Sequence, residues 1–77
     1  MKIEIMFFGI IAEMIGAPKL EITNCYDTET LNKQLIEKYP KLKNMKYVIA
    51  VYKELITSNT TLKNGDKVAL LPPFAGG

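Results

Sequence analysis

The sequence predicts an α+β domain, a mixed sheet with one main helix packed on one face, and three stretches predict it. Residues 2–8 set Ile3, Ile5 and Phe7 against Glu4, Met6 and Phe8, the two-residue period of a strand. Leu31, Leu35, Ile36 and Tyr39 fall at helical spacing, with Asn32, Lys33, Glu37 and Lys38 largely outside their stripe. Residues 67–71 alternate again, directly after Lys63-Asn64-Gly65-Asp66, where Asn-Gly supplies residues that tolerate positive φ.

Taken in order, the first strand should turn Ile3, Ile5 and Phe7 to the core and leave Met6 and Phe8, beside Glu4, on a second face that is not polar, either covered by chain or offered to a partner. Gly9 breaks the strand, and residues 10–15 suit a short helical turn closed by Gly16. After Pro18, residues 19–23 place Leu20 and Ile22 on one face and pair with the first strand as a hairpin. Residues 24–27 are turn-like, and Asp27 or Thr28 caps the main helix, whose first turn holds Glu29 in favourable relation to the macrodipole. Pro40 ends that helix, and its stripe is the largest single means of removing apolar area from water, at about 25 cal/mol per Å².

Residues 41–46 read as a polar connector. Residues 47–52 form a β-branched and aromatic strand, with Ile49 and Val51 on one face and Val48, Ala50 and Tyr52 on the other. One helix covers only one face of a sheet, so the other should remain open. Lys53-Glu54 is expected to turn the chain into a short strand over residues 55–57, and residues 58–62 form a loop with Leu62 buried. In the last strand Val68 and Leu70 point inward and Ala69 and Leu71 outward. Phe8, Val48, Ala50, Tyr52, Ala69 and Leu71 would then make an apolar patch beside the root of the tail, the kind of surface that marks a protein interface.

Length and composition narrow the function. At 77 residues there is room for one domain, expected over residues 1–71, followed by an extended tail over residues 72–77. Ten basic against eight acidic residues give +2 without a basic block, which argues against a nucleic-acid binder. Cys25 is the only cysteine and histidine is absent, which excludes an internal disulfide, a Cys–His pair and the usual zinc sets. The apolar run between Glu4 and Glu13 is too short to span a bilayer and its acids do not fit a secretory leader, so no membrane role and a cytoplasmic location are expected.

The tail Pro72-Pro73-Phe74-Ala75-Gly76-Gly77 carries the functional expectation. The prolines lack N–H groups and hold φ near the polyproline value, so they end the last strand and project the remaining residues away from the body. Six residues reach roughly 20 Å, enough to enter a partner's cleft. Gly76 and Gly77 fit a narrow channel and leave the Gly77 carbonyl carbon open to attack. That carboxyl, with a reference pKa of about 3.3–3.7, is ionised at neutral pH and must be activated before it can acylate anything.

With these residues in hand the whole chain resembles the small sulfur-carrier subunit of molybdopterin synthase, a ubiquitin-like β-grasp family. The most specific segments are Gly65-Asp66-Lys67-Val68-Ala69 and the tail from Pro72 to Gly77, supported by Phe7-Phe8 and by Gly16 after the short helix. The resemblance implies that an ATP-dependent adenylating enzyme activates Gly77, that a sulfur donor converts it to a thiocarboxylate, and that the tail enters a large catalytic subunit. There the sulfur would pass to a cyclic pyranopterin monophosphate and build the dithiolene of molybdopterin. Gly77 would carry the sulfur and Gly76 would give a slender approach, with Pro72, Pro73, Phe74 and Ala75 setting the tail's path against the partner. No bound cofactor is implied, only a transient acyl-adenylate or thiocarboxylate on Gly77. The acid–base groups would belong to the large subunit, in a heterotetramer of two small and two large chains.

Two positions depart from the family's usual pattern. Ala12-Glu13 stands where an Arg-Glu pair is common, and Tyr52 where an Asn often follows the third strand; both bear on which partner is served. Three other readings compete: a ubiquitin-like modifier joined through Gly77 to a lysine, a sulfur carrier of the thiamin pathway, and a passive interaction module. The proline pair and the insertion at residues 10–15 argue against the thiamin carrier, and the passive module leaves the Gly-Gly end unexplained.

Overall fold

The computed structural model describes residues 2–73, so Phe74, Ala75, Gly76 and Gly77 lie outside the described residues. Five strands form one sheet in the order β2-β1-β5-β3-β4. They are β1 (Lys2–Phe7), β2 (Lys19–Thr23), β3 (Val48–Val51), β4 (Glu54–Leu55) and β5 (Lys67–Leu71). The helices are α1 (Gly9–Ile15) and α2 (Thr28–Lys38). β1 runs parallel to β5 and antiparallel to β2, while β3 is antiparallel to both β5 and β4. The sheet is therefore mixed, as the alternating runs predicted.

α2 forms where its stripe requires. Asp27 is the N-cap, its carboxylate accepting the Thr30 N–H at 2.8 Å, and Tyr39 closes the other end through its N–H to the Leu35 carbonyl at 2.7 Å. Leu31 and Leu35 are fully buried, and Ile36 and Tyr39 pack half-buried at the margin of the same core. Opposite them stand Ile3, Ile5 and Phe7 of β1 and Val68 and Leu70 of β5, all buried. α1 adds Ile11, fully buried, and ends on Gly16, whose φ of 84° lets its N–H reach the Ala12 carbonyl at 2.9 Å.

The connections differ from the sequence reading, and β4 runs over Glu54–Leu55 rather than residues 55–57 because the turn before it comes earlier. The supposed polar connector is a 3-10 turn over Pro40–Asn44 that drives Leu42 into the core, 1% exposed. A lone leucine among lysines has no periodicity to betray it. The chain reverses between β3 and β4 at Tyr52-Lys53, one residue earlier than expected, with both residues at positive φ, 52° and 66°. That is the pairing a two-residue hairpin of the primed type demands, usually supplied by Asn or Gly. Here the Tyr52 hydroxyl donates to the buried Asp66 carboxylate and holds the turn against the start of β5. The same bond, followed by burial and the carboxylate's charge, pushes the Tyr52 phenol above its ordinary value.

The N-terminus of α2 is laced to the loop before β5. Asn59 donates to the Asp27 carboxylate at 3.3 Å and accepts the Glu29 N–H at 2.9 Å, while the Thr60 N–H donates to the Thr28 hydroxyl at 2.9 Å. The bonds from Thr30 first, and then from Asn59, hold the Asp27 carboxyl below its ordinary value. A carboxyl whose pKa falls on folding stabilises the folded state above its unfolded pKa of about 3.9, and that contribution fades as pH drops through the lower folded value. Thermal melts should therefore fall off in acid for the natural chain and less steeply for Asp27→Asn. Parallel acid limbs for the two chains would remove Asp27 from the account.

Candidate functional site: the open sheet face and the root of the tail

The face of the sheet away from α2 has no helix over it among the described residues. One row across it takes Met6 from β1, Ala69 from β5, Ala50 from β3 and Leu55 from β4, each the register partner of the next. The next row joins Phe8, just past β1, to Leu71 and Val48, the first position of β3. The Phe8 N–H donates to the Leu70 carbonyl at 3.2 Å and so keeps the first of these strands in line with β5. Met6, Phe8 and Leu55 are 37%, 40% and 53% exposed, which leaves real apolar area for a partner to cover.

The two alanines make the middle of this face shallow. Ala50 is 4% exposed and Ala69 half-buried, between the larger side chains of Met6 and Leu55. Ala50 was expected to offer surface; instead it forms a floor, because a methyl group between two paired strands has little area left to show. Val48 and Leu71 are half-buried beside it.

Tyr52 does not lie beside the root of the tail. It follows Val51, which pairs with Val68, whereas Leu71 pairs with Val48. Four residues of strand separate Tyr52 from the tail end of the sheet, roughly 13 Å. Met6 and Leu55 belong to the patch and were not in the expected set. Met6 was legible from the alternation of β1; Leu55 was not, because its place depends on a tight turn made without glycine or asparagine.

Pro72 also differs from expectation. It is buried against the body, and only Pro73 is exposed, so the described tail root leaves the domain one residue later than the sequence indicated. The expected carrier positions Gly76 and Gly77, and the path residues Phe74 and Ala75, lie outside the described residues.

Cys25 is buried and its Sγ donates to the Asp27 carbonyl at 3.4 Å; burial pushes the thiol above its ordinary value, away from thiolate reactivity. No group of three or more His, Cys, Asp or Glu gathers as a metal site among the described residues, and no helix there is long and apolar enough to cross a membrane. The candidate site is an open apolar face with the root of the tail at its edge.

This arrangement agrees with comparisons to known proteins. The ThiS family pattern matches residues 5–77, nearly the whole chain including its Gly-Gly end. The chain belongs to the ThiS family. Among curated ThiS-like relatives, the molybdopterin synthase sulfur carrier subunit of Mycobacterium tuberculosis is 32% identical over 81 residues, covering 99% of this chain and 98% of its own. A solved complex of subunits 1 and 2 of the molybdopterin-converting factor from Helicobacter pylori contains a chain 35% identical, with a TM-score of 0.76 and full coverage of both. The small archaeal modifier protein 1 of Methanosarcina acetivorans superposes with a TM-score of 0.84 at 23% identity over 99% of this chain and 96% of that one, a likeness of fold alone. The ThiS-family chain is thus a ubiquitin-like β-grasp protein, as its strand order indicates.

Proposed function

We propose that this chain is the sulfur-carrying subunit of a molybdopterin synthase, with the sulfur held as a thiocarboxylate on Gly77. The observation that carries the proposal is the apolar face running through Phe8, Leu71 and Val48 to the proline pair, with no helix over it among the described residues, on a chain whose family match extends through Gly77. Such a face would hold a large subunit while the tail reaches into it.

The chemistry stems from the carboxylate. In an adenylating partner a Gly77 carboxylate oxygen attacks the α-phosphate of ATP and pyrophosphate leaves. A hydrosulfide equivalent from the sulfur donor then attacks the carbonyl carbon, and AMP departs with the bonding pair, leaving a thiocarboxylate. In the large subunit that sulfur forms a bond to a carbon of the cyclic pyranopterin monophosphate as a carbon–oxygen bond at that carbon breaks, the oxygen leaving with the bonding pair and taking a proton from the large subunit. Water then hydrolyses the acyl–sulfur bond, which restores the Gly77 carboxylate and leaves the sulfur on the pterin. A second loaded chain repeats these steps to complete the dithiolene. Acid–base groups come from the large subunit, since the described domain has an inert thiol and no histidine. Two such complexes would make the heterotetramer, in the cytoplasm where ATP is supplied.

Intact-mass measurement of the chain isolated from its native cells tests this reading. A fraction with one terminal oxygen replaced by sulfur is expected. A population carrying only carboxylate while the pathway is active would defeat it, and chains joined to lysines by isopeptide bonds would replace it with a modifier role.

A further inference from the structure

Gly9 opens α1 at a φ of 58°, a conformation that L side chains rarely adopt. A β-carbon placed there would lie 3.0 Å from Cγ and 3.7 Å from Cδ of Pro72, and apart from its chain neighbours and its own helix's backbone meets no other described heavy atom within 4 Å. Gly16 and Gly65 also have positive φ, 84° and 87°, yet a β-carbon on either meets nothing within 4 Å. Their backbone angle accounts for them. Gly9 has a second role, because its bare α-carbon is the seat on which the buried Pro72 ring rests.

The seat joins two segments that the sheet already holds side by side. The Phe8 N–H donates to the Leu70 carbonyl at 3.2 Å, immediately before Gly9 on one segment and two residues before Pro72 on the other. Leu71 is held in turn by its pairing with Val48. Pro72 therefore cannot give way along the strand and would have to lift. Ordinary carbon contacts begin near 3.4 Å, so a β-carbon at Gly9 makes the ring give by a few tenths of an ångström.

We propose that Gly9 is a positioning residue for sulfur transfer: by seating Pro72 it sets the point from which Pro73 and the carrier end leave the domain. The inference rests on the sulfur-carrier reading and adds a residue that touches neither sulfur nor pterin. A misplacement of about 1 Å at the reacting group is enough to cost on the order of a hundredfold in rate, and a few tenths of an ångström at the root of a six-residue tail is magnified toward its end.

The test uses full-length chains prepared with a Gly77 thiocarboxylate, mixed with molybdopterin synthase large subunit and cyclic pyranopterin monophosphate in single-turnover reactions. Gly9→Ala, Pro72→Ala and the double variant are compared with the natural chain, and circular dichroism confirms that each is folded. Gly9→Ala should lower the transfer rate roughly tenfold or more, a larger factor than any change in its Kd for the large subunit, since the rows from Met6 to Leu55 and from Leu71 to Val48 keep their register. Alanine at position 72 lacks the Cγ and Cδ that the new β-carbon meets, so the fold-loss from Gly9→Ala should be several times smaller in the Pro72→Ala background than in the natural chain. Strain at φ 58° alone would instead make the two losses multiply. Multiplying losses, or a Gly9→Ala chain as fast as the natural one, would overturn the inference while the carrier reading stands. A natural thiocarboxylate chain that transfers no sulfur overturns both.

Discussion

A chain extended by one residue beyond Gly77 should load no sulfur and transfer none, with its melting temperature unchanged. The extension turns the Gly77 carboxylate into an amide, which offers no anionic oxygen to the α-phosphate of ATP. It also places a further residue in a channel that a pair of glycines is suited to enter. The buried core side chains among the described residues run from Ile3 to Leu70, and Pro72 is the last buried position described. Fold and function should therefore separate cleanly. The check is intact mass after incubation with the adenylating enzyme, ATP and a sulfide source, beside a thermal melt. Undiminished loading of the extended chain would show that the reacting group is elsewhere.

The fold was largely legible because its strongest signals are local and agree with one another. The alternation of residues 2–8 placed Ile3, Ile5 and Phe7 correctly, and the stripe of Leu31 and Leu35 fixed the helix face. The Lys63–Asp66 turn was legible from Asn64-Gly65, and Gly65 takes the positive φ while the Asp66 N–H closes onto the Lys63 carbonyl at 3.0 Å. What escaped was set by tertiary contact. Leu42 enters the core because the 3-10 turn points it there, and Tyr52 accepts a left-handed conformation with its hydroxyl on Asp66. Asn59 caps α2 from a loop 30 residues away, which no local pattern announces.

The candidate site was legible in part for the same reason. The outward set of β1, β3 and β5 is fixed by alternation, so Phe8, Val48, Ala69 and Leu71 fell on the open face as read. Alternation says which face a residue takes and not how much of it survives burial. Ala50 therefore became floor and Pro72 became part of the body, each covered by neighbours from another strand or helix.

Leu71→Asp should weaken binding to the large subunit by about 3–5 kcal/mol, the scale of one charge stranded in a buried contact, which is two to almost four decades in Kd. Leu71 is central to the effect: it lies on the open face, pairs with Val48, and precedes the buried Pro72, so a partner that receives the tail must pass over it. In the free chain the new carboxylate stands on the uncovered face and can be hydrated, so the domain should remain folded. Met6→Asp, on a neighbouring strand and 37% exposed, supplies a second charge on the same face at a distance from the tail. Tyr52→Phe removes only a hydroxyl at the far end of the sheet and should leave affinity near that of the natural chain, although it loosens the turn held by Asp66. Titration calorimetry of the folded variants against the large subunit decides the matter. Loss at Leu71 and Met6 with little change at Tyr52 places the interface on the open face near the tail root. Natural affinity in both aspartate variants would mean that the partner grips another surface and that these apolar rows serve only the sheet itself.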